Sequence, residues 1–173
     1  MLARSSDGRV KVVQLDLADE GAASSLKREV GDRPIDILIN NAGVTGLSND
    51  RLDAAGWMTT MRVNALAPML IAQALRENLA RSSEKKLVAI SSIMGSISAA
   101  QPGRYAYGPS KAALNHGMRT LSRSWAGDGI LVAILDPGWV KTDMGGQDAY
   151  ISAEESARGL IAWIAELTAA TSG

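Results

Sequence analysis

Apolar residues along the chain gather in four short, nearly continuous runs, each followed by a polar or glycine-containing stretch and a longer mixed segment. The runs are Val10-Lys11-Val12-Val13-Gln14-Leu15, Ile35-Asp36-Ile37-Leu38-Ile39, Leu87-Val88-Ala89-Ile90 and Ile130-Leu131-Val132-Ala133-Ile134-Leu135. Their length, their β-branched content and the turn residues around them predict strands. The segments between predict helices. One starts behind the carboxylates of Asp16-Leu17-Ala18-Asp19 and runs to about residue 30. A long one covers roughly 53–82, with interruptions near Asn64 and Pro68, and others cover about 105–126 and 153–168. In the last, Trp163 and Ile164 are expected on the apolar side. Loops are predicted over 40–50, 91–101 and 136–152.

Strand and helix thus alternate four times, and the strands are apolar throughout instead of alternating with polar residues. That pattern predicts an α/β fold, a Rossmann-like doubly wound parallel sheet with helices on both faces, in a single domain over 1–173. Right-handed crossovers would bring the strand C-termini to one edge, where ligands bind in such sheets. Asp16, Asn40-Asn41-Ala42-Gly43, Ser91-Ser92 and Asp136-Pro137-Gly138 all follow strands at that edge.

Bulk properties narrow the function classes. The chain has 173 residues, 46% hydrophobic and 21% charged, with zero formal net charge. Nothing in that balance calls for a nucleic-acid or anionic-membrane partner. With no cysteine, disulfides, thiolate zinc sites and cysteine nucleophiles are excluded, and a cytoplasmic setting is expected. The single histidine, His116, leaves little room for a histidine-rich metal site. It lies five residues beyond Lys111, off that residue's helical face, and Ser92 has no glycine-serine-glycine elbow, so a serine-histidine-aspartate hydrolase is not supported. No apolar stretch reaches membrane-spanning length.

The chemistry centres on Tyr107-Gly108-Pro109-Ser110-Lys111 and on Ser92, fifteen residues earlier. A phenol and an ammonium four residues apart share one face of a helix. A free tyrosine, with a pKa of about 10, exchanges protons poorly near neutrality, and an adjacent lysine cation is expected to lower that value. Ser92 would donate a hydrogen bond to a substrate carbonyl and stabilise developing charge. Ser91 and Ser92 should point to opposite sides, by strand alternation.

Together Tyr107, Lys111, Ser92 and Asn64, with Asn40-Asn41-Ala42-Gly43 and Pro137-Gly138, resemble the active site of the short-chain dehydrogenase/reductase family. The stretches Ser91-Ser92-Ile93-Met94-Gly95 and Pro137-Gly138-Trp139-Val140-Lys141-Thr142-Asp143-Met144-Gly145-Gly146 resemble its branch of C-factor and sniffer-type carbonyl reductases. The resemblance implies an NAD(P)(H)-dependent oxidoreductase acting on a small-molecule carbonyl or alcohol, with NADPH favoured. Tyr107 would be the acid–base group, Ser92 the carbonyl polariser, Lys111 a ligand of the nicotinamide ribose, and Asn64 the support of a water relay. Asp16 and Leu17 would meet the adenine edge, and Asn41, Ala42 and Gly43 the adenosine ribose. Pro137, Gly138, Val140 and Thr142 would hold the nicotinamide. In many members the long helices corresponding to about 66–80 and 107–126 pair into a homodimer, while some carbonyl reductases are monomers, so the resemblance leaves both states open.

Two family features are not in the sequence: a turn of the type Thr-Gly-x-x-x-Gly-x-Gly for the pyrophosphate, and the βαβ unit around it. The run at 10–15 would be the family's third strand, so the chain resembles a fragment trimmed at both ends, expected to bind nucleotide weakly and to be inactive alone. The alternative expectation is a non-catalytic signalling or scaffold protein of the same fold.

Overall fold

The computed structural model describes residues 9–46 and 52–173; positions 47–50 of the loop expected over 40–50 lie outside them. Three strands, β1 (Ile37–Asn40), β2 (Lys86–Ile90) and β3 (Leu131–Leu135), form one parallel sheet in the order β1-β2-β3. Leu38 pairs with Leu87, and Leu87 with Val132. Around the sheet lie α1 (Ala22–Val30), α2 (Ala54–Met61), α3 (Ala67–Ala74), α4 (Arg76–Ala80), α5 (Tyr107–Ser124) and α6 (Ala153–Ala165).

All five residues of β2 are buried, which is why that run carries no polar alternation: both of its faces are covered. Leu87 and Ala89 pack with Val132 against Leu79, Leu114, Met118, Leu121 and Trp125 on the α4 and α5 side. Val88 and Ile90, one residue out of phase, pack with Ala133 against Ile164 of α6 on the opposite side. The expected sheet with helices on both faces is therefore present, with three strands in place of four.

The run at 10–15 is the correction. It lies outside the sheet, and Val10 and Val12 are 44% and 73% exposed. A β-branched apolar pattern describes a fit to a half-buried pleated surface, and ladder pairing decides whether a strand forms. Here Lys11 makes an ion pair with Glu29, tying the run to α1. A second correction concerns α6. Ile164 is buried but Trp163 is 65% exposed: adjacent helical positions lie about 100° apart, so the two do not share the sheet-facing side. A capping box between Ser152 and Glu155 starts this helix.

The interruptions expected in the long helical region have definite forms. Around Asn64 the chain makes one π-helical turn, Arg62–Leu66, and Pro68 falls in the first turn of α3, where a missing N–H is tolerated. A further break at Leu75 separates α3 from α4. On β1, Leu38 packs into the α5-side core. Ile37 and Ile39 point the other way and are 42% and 49% exposed.

Candidate active site

Beyond Ile90 the β2 chain stays extended for two residues. The Ser91 N–H donates to the Leu135 carbonyl (2.7 Å), prolonging the ladder with β3. Ser92, at φ −166° and ψ 150°, caps a short 3-10 turn over Ile93–Gly95, and its hydroxyl accepts from the Met94 N–H (3.2 Å). The two serines diverge as alternation requires: Ser91 is buried and donates to the Asn115 side-chain carbonyl, while Ser92 is half-buried on the side of Tyr107.

Tyr107 opens α5, and Pro109 sits in that first turn, where it removes no helical hydrogen bond. Helical spacing puts Tyr107, Lys111 and Asn115 along one side of α5. Lys111 is 4% exposed; its ammonium donates to the Ile90 carbonyl (2.8 Å) and stands 5.7 Å from the centre of the Tyr107 ring. Burial pushes the Lys111 pKa down to about 8.

The expected lowering of the Tyr107 pKa is not found. Its pKa is raised, chiefly because burial disfavours the phenolate. The Ser92 hydroxyl pulls in the lowering direction, the Asp136 carboxylate raises the value further, and the Arg104 guanidinium opposes it. Lys111 stands beside the ring, and in this dry setting desolvation of the phenol outweighs the attraction of neighbouring cations. Ser92 lies close enough to Tyr107 for its hydroxyl to bear on the phenol.

Asn64 is fully buried. Its amide donates to the Val44 carbonyl (2.8 Å) and to the Ser110 hydroxyl (2.9 Å) and accepts from the Val44 N–H (2.8 Å). The Ser110 hydroxyl in turn donates to the Tyr107 carbonyl (2.7 Å). The π-helical turn thus holds the loop after β1 against the first turn of α5. A Cβ on Gly43 would lie 3.4 Å from Asn64 Oδ1 and 3.6 Å from Lys111 Nζ, so glycine there leaves the space at the ammonium open.

The other expected residues spread along the same edge. Gly138 adopts a left-handed φ of 76°, its N–H bonded to Asp136 (2.8 Å), and Pro137 accepts from the Ser156 hydroxyl of α6 (2.7 Å). Val140 bridges to Ile151. The Thr142 hydroxyl is engaged within its own loop, accepting from the Gly145 N–H (3.1 Å). Trp139 closes that loop edge-to-face on Tyr150 (4.8 Å). Asn41 and Ala42 are exposed. Asp16 caps its own turn through the Ala18 N–H (2.9 Å), and Leu17 lines a shallow groove beside Leu66 and Leu70, apart from the Tyr107 group. Sequence reasoning gave no site role to Ser110, Asn115, Asp136 or Arg104. For Ser110 and Asn115 the signal was there, at three residues past Tyr107 and four past Lys111.

The family model described as short chain dehydrogenase matches residues 2–150. The chain belongs to the short-chain dehydrogenase family of oxidoreductases. It is 41% identical over 143 residues to the C-signal of Myxococcus xanthus, a match covering 81% of this chain and 86% of that protein. The carbonyl reductase Sniffer of D. melanogaster superposes on 99% of this chain and 76% of its own, with a TM-score of 0.90 and 28% identity. The NADPH-bound carbonyl reductase from chicken fatty liver superposes on 99% and 75%, with a TM-score of 0.87 and 29% identity. The chain spans little more than half the length of other curated relatives, 56% and 55% in two cases. Among the described residues, no helix is long and apolar enough to cross a membrane.

A nicotinamide nucleotide, which the family uses, fits these residues at one end. The Lys111 ammonium can donate three hydrogen bonds, Ile90 takes one, and glycine at 43 leaves its flank clear. At the pyrophosphate end no glycine-rich turn exists anywhere in the sequence.

Proposed function

We propose that this chain carries the proton-transfer half of a nicotinamide-dependent carbonyl reductase, NADPH being the favoured cofactor and a small carbonyl compound or secondary alcohol the substrate. The observation that carries the reading is the grouping of a half-buried phenol, a serine hydroxyl and a buried lysine at the C-terminal ends of β2 and β3. When bound, the nicotinamide supplies a hydride to the carbonyl carbon. Tyr107 delivers its hydroxyl proton to the carbonyl oxygen, so that carbonyl, hydride and proton together give the alcohol. Like any phenol, Tyr107 holds its proton through neutral pH and can act as the donor in the reductive direction. Ser92 holds the carbonyl oxygen, and Lys111 binds the ribose through the donors Ile90 leaves over. Asn64 keeps the 43–46 loop and the first turn of α5 in register, so that Lys111 remains under the ring.

The test is carbonyl-dependent oxidation of NADPH by the full-length protein, with nucleotide binding followed separately by calorimetry. Tyr107→Phe should abolish turnover and leave binding unchanged; turnover kept in that variant removes the acid assignment.

A second reading, a signalling role of the same fold, is favoured by one observation. The M. xanthus C-signal is matched over 86% of its length, so a relative of about this size bears that name. A full-length protein that turns over no carbonyl compound and binds no nucleotide would favour this reading.

A further inference from the structure

We propose that Asn115 and Ser91 form a positioning pair that sets the approach of Ser92 to Tyr107. The inference deepens the reductase reading by naming what holds its two hydroxyls together, and neither residue touches the reacting atoms.

Three side chains on one side of α5 meet three consecutive residues at the end of β2. Lys111 donates to the Ile90 carbonyl (2.8 Å). Asn115 accepts from the Ser91 hydroxyl. Tyr107 lies beside Ser92, close enough for its pKa to respond to that hydroxyl. The Lys111 contact is buried and the Ser91–Asn115 contact part-buried; neither involves the phenol, and together they fix the β2 end against the helix. Ser91 is further pinned by its N–H bond to Leu135 (2.7 Å).

The turn carrying Ser92 is pressed onto the same side chain. A Cβ on Gly95 would come 2.7 Å from Asn115 Nδ2, closer than Cβ atoms approach, and 3.0 Å from the Lys111 backbone carbon, a tight contact. Asn115 is thus held between Ser91, through its oxygen, and the closed 3-10 turn, against its nitrogen. An apolar residue at 115 would leave the buried Ser91 hydroxyl without its acceptor and free the two-residue link from Ile90 to Ser92. With β alternation fixing Ser92 opposite Ser91, rotation at Ser91 is transmitted to Ser92.

The test needs neither nucleotide nor substrate. Tyrosines labelled at Cζ are followed by NMR from about pH 7 to about pH 12, and the Tyr107 resonance is assigned by its loss in Tyr107→Phe. The groups facing the phenol are Asp136 at the end of β3, Arg104 ahead of α5, and Lys111 on α5, and all stay in place in the variants. Ser92→Ala removes a hydroxyl that favours the phenolate, so the Tyr107 titration should move to higher pH. Asn115→Leu and Ser91→Ala should each move it the same way. In the Ser92→Ala background neither should add to the shift. The proposal is overturned by a Tyr107 titration that stays at its wild-type position in Ser91→Ala and Asn115→Leu. It is equally overturned by one that moves further on top of Ser92→Ala, or by Ser92→Ala having no effect. Should Asn115→Leu fail to fold, Ser91→Ala reaches the same contact from the other side and decides alone. A full-length protein without carbonyl turnover whose variants give the expected shifts loses the reductase reading and keeps the positioning pair.

Discussion

Lys111 should destabilise the folded chain at neutral pH, and the amount follows from its burial. Its side chain is 4% exposed, and its pKa falls from the ordinary 10.5 to about 8. At 1.36 kcal/mol per pH unit, that difference amounts to about 3 kcal/mol. The sign follows from proton counting. Below about pH 8 the lysine is charged in both the folded and the unfolded chain, and the full desolvation cost is present. Between about pH 8 and 10.5 the unfolded chain holds the proton and the folded chain has lost it, so stability rises with pH through that window. Above 10.5 both are neutral and the cost is gone.

Replacing Lys111 by methionine keeps most of the stem and removes the charge. It also removes the bond to the Ile90 carbonyl, worth about 1–3 kcal/mol while the donor is an ammonium, whose pH dependence is already contained in the folded-state pKa. The decisive quantity is therefore the difference between wild type and Lys111→Met in unfolding free energy, measured by urea titration at several pH values. Wild type should gain about 3 kcal/mol on the variant between pH 8 and 10.5. Curves that stay parallel across that window would show that Lys111 is not desolvated in the folded chain, and the account of its low pKa would fail.

Other expectations follow from single contacts. Gly95→Ala places a methyl group against Asn115 and the Lys111 backbone and should lower stability by about 1–3 kcal/mol in urea unfolding. Ser152→Ala removes the capping box of α6 and should cost about 1 kcal/mol by the same measurement; no change would mean that α6 is held by Ile164 packing alone. Ile39, 49% exposed on an open face of β1, should promote association. Ile39→Lys should reduce light scattering at high protein concentration without lowering the melting temperature, as charged residues do at sheet edges.

The three strands that formed were legible because each has a neighbour whose apolar run matches it in length and face. Leu87-Val88-Ala89-Ile90 is flanked on both sides and buried throughout; its own composition demanded that environment. The run at 10–15 carries a similar pattern and is not in the sheet, because pairing is a property of two segments and a sequence window sees one. Trp163 fails for a related reason. Helical periodicity defines a stripe, and which of two adjacent large apolar residues faces the sheet depends on the rotation of α6, set here by Ile164 and Leu160 against Val88 and Ala133.

The candidate site divides along the same line. Tyr107 and Lys111 are fixed relative to each other by helix geometry, so their association could be read from spacing alone, and Asn64 could be read from the break it makes in a helical pattern. Their electrostatics could not. A cation four residues from a phenol argues for a lowered pKa only while both are solvated. Once α5 is packed against the end of β2, burial acts on both groups in the direction of the neutral form, raising Tyr107 and lowering Lys111. Tertiary packing therefore reverses the direction that spacing predicts. Under the proposed reductase reading, a phenol that holds its proton beside a lysine that releases one more readily suits delivery followed by reloading. Asn115 and Ser91, four residues past Lys111 and one before Ser92, are what keep those two groups and the serine hydroxyl in one place while that happens.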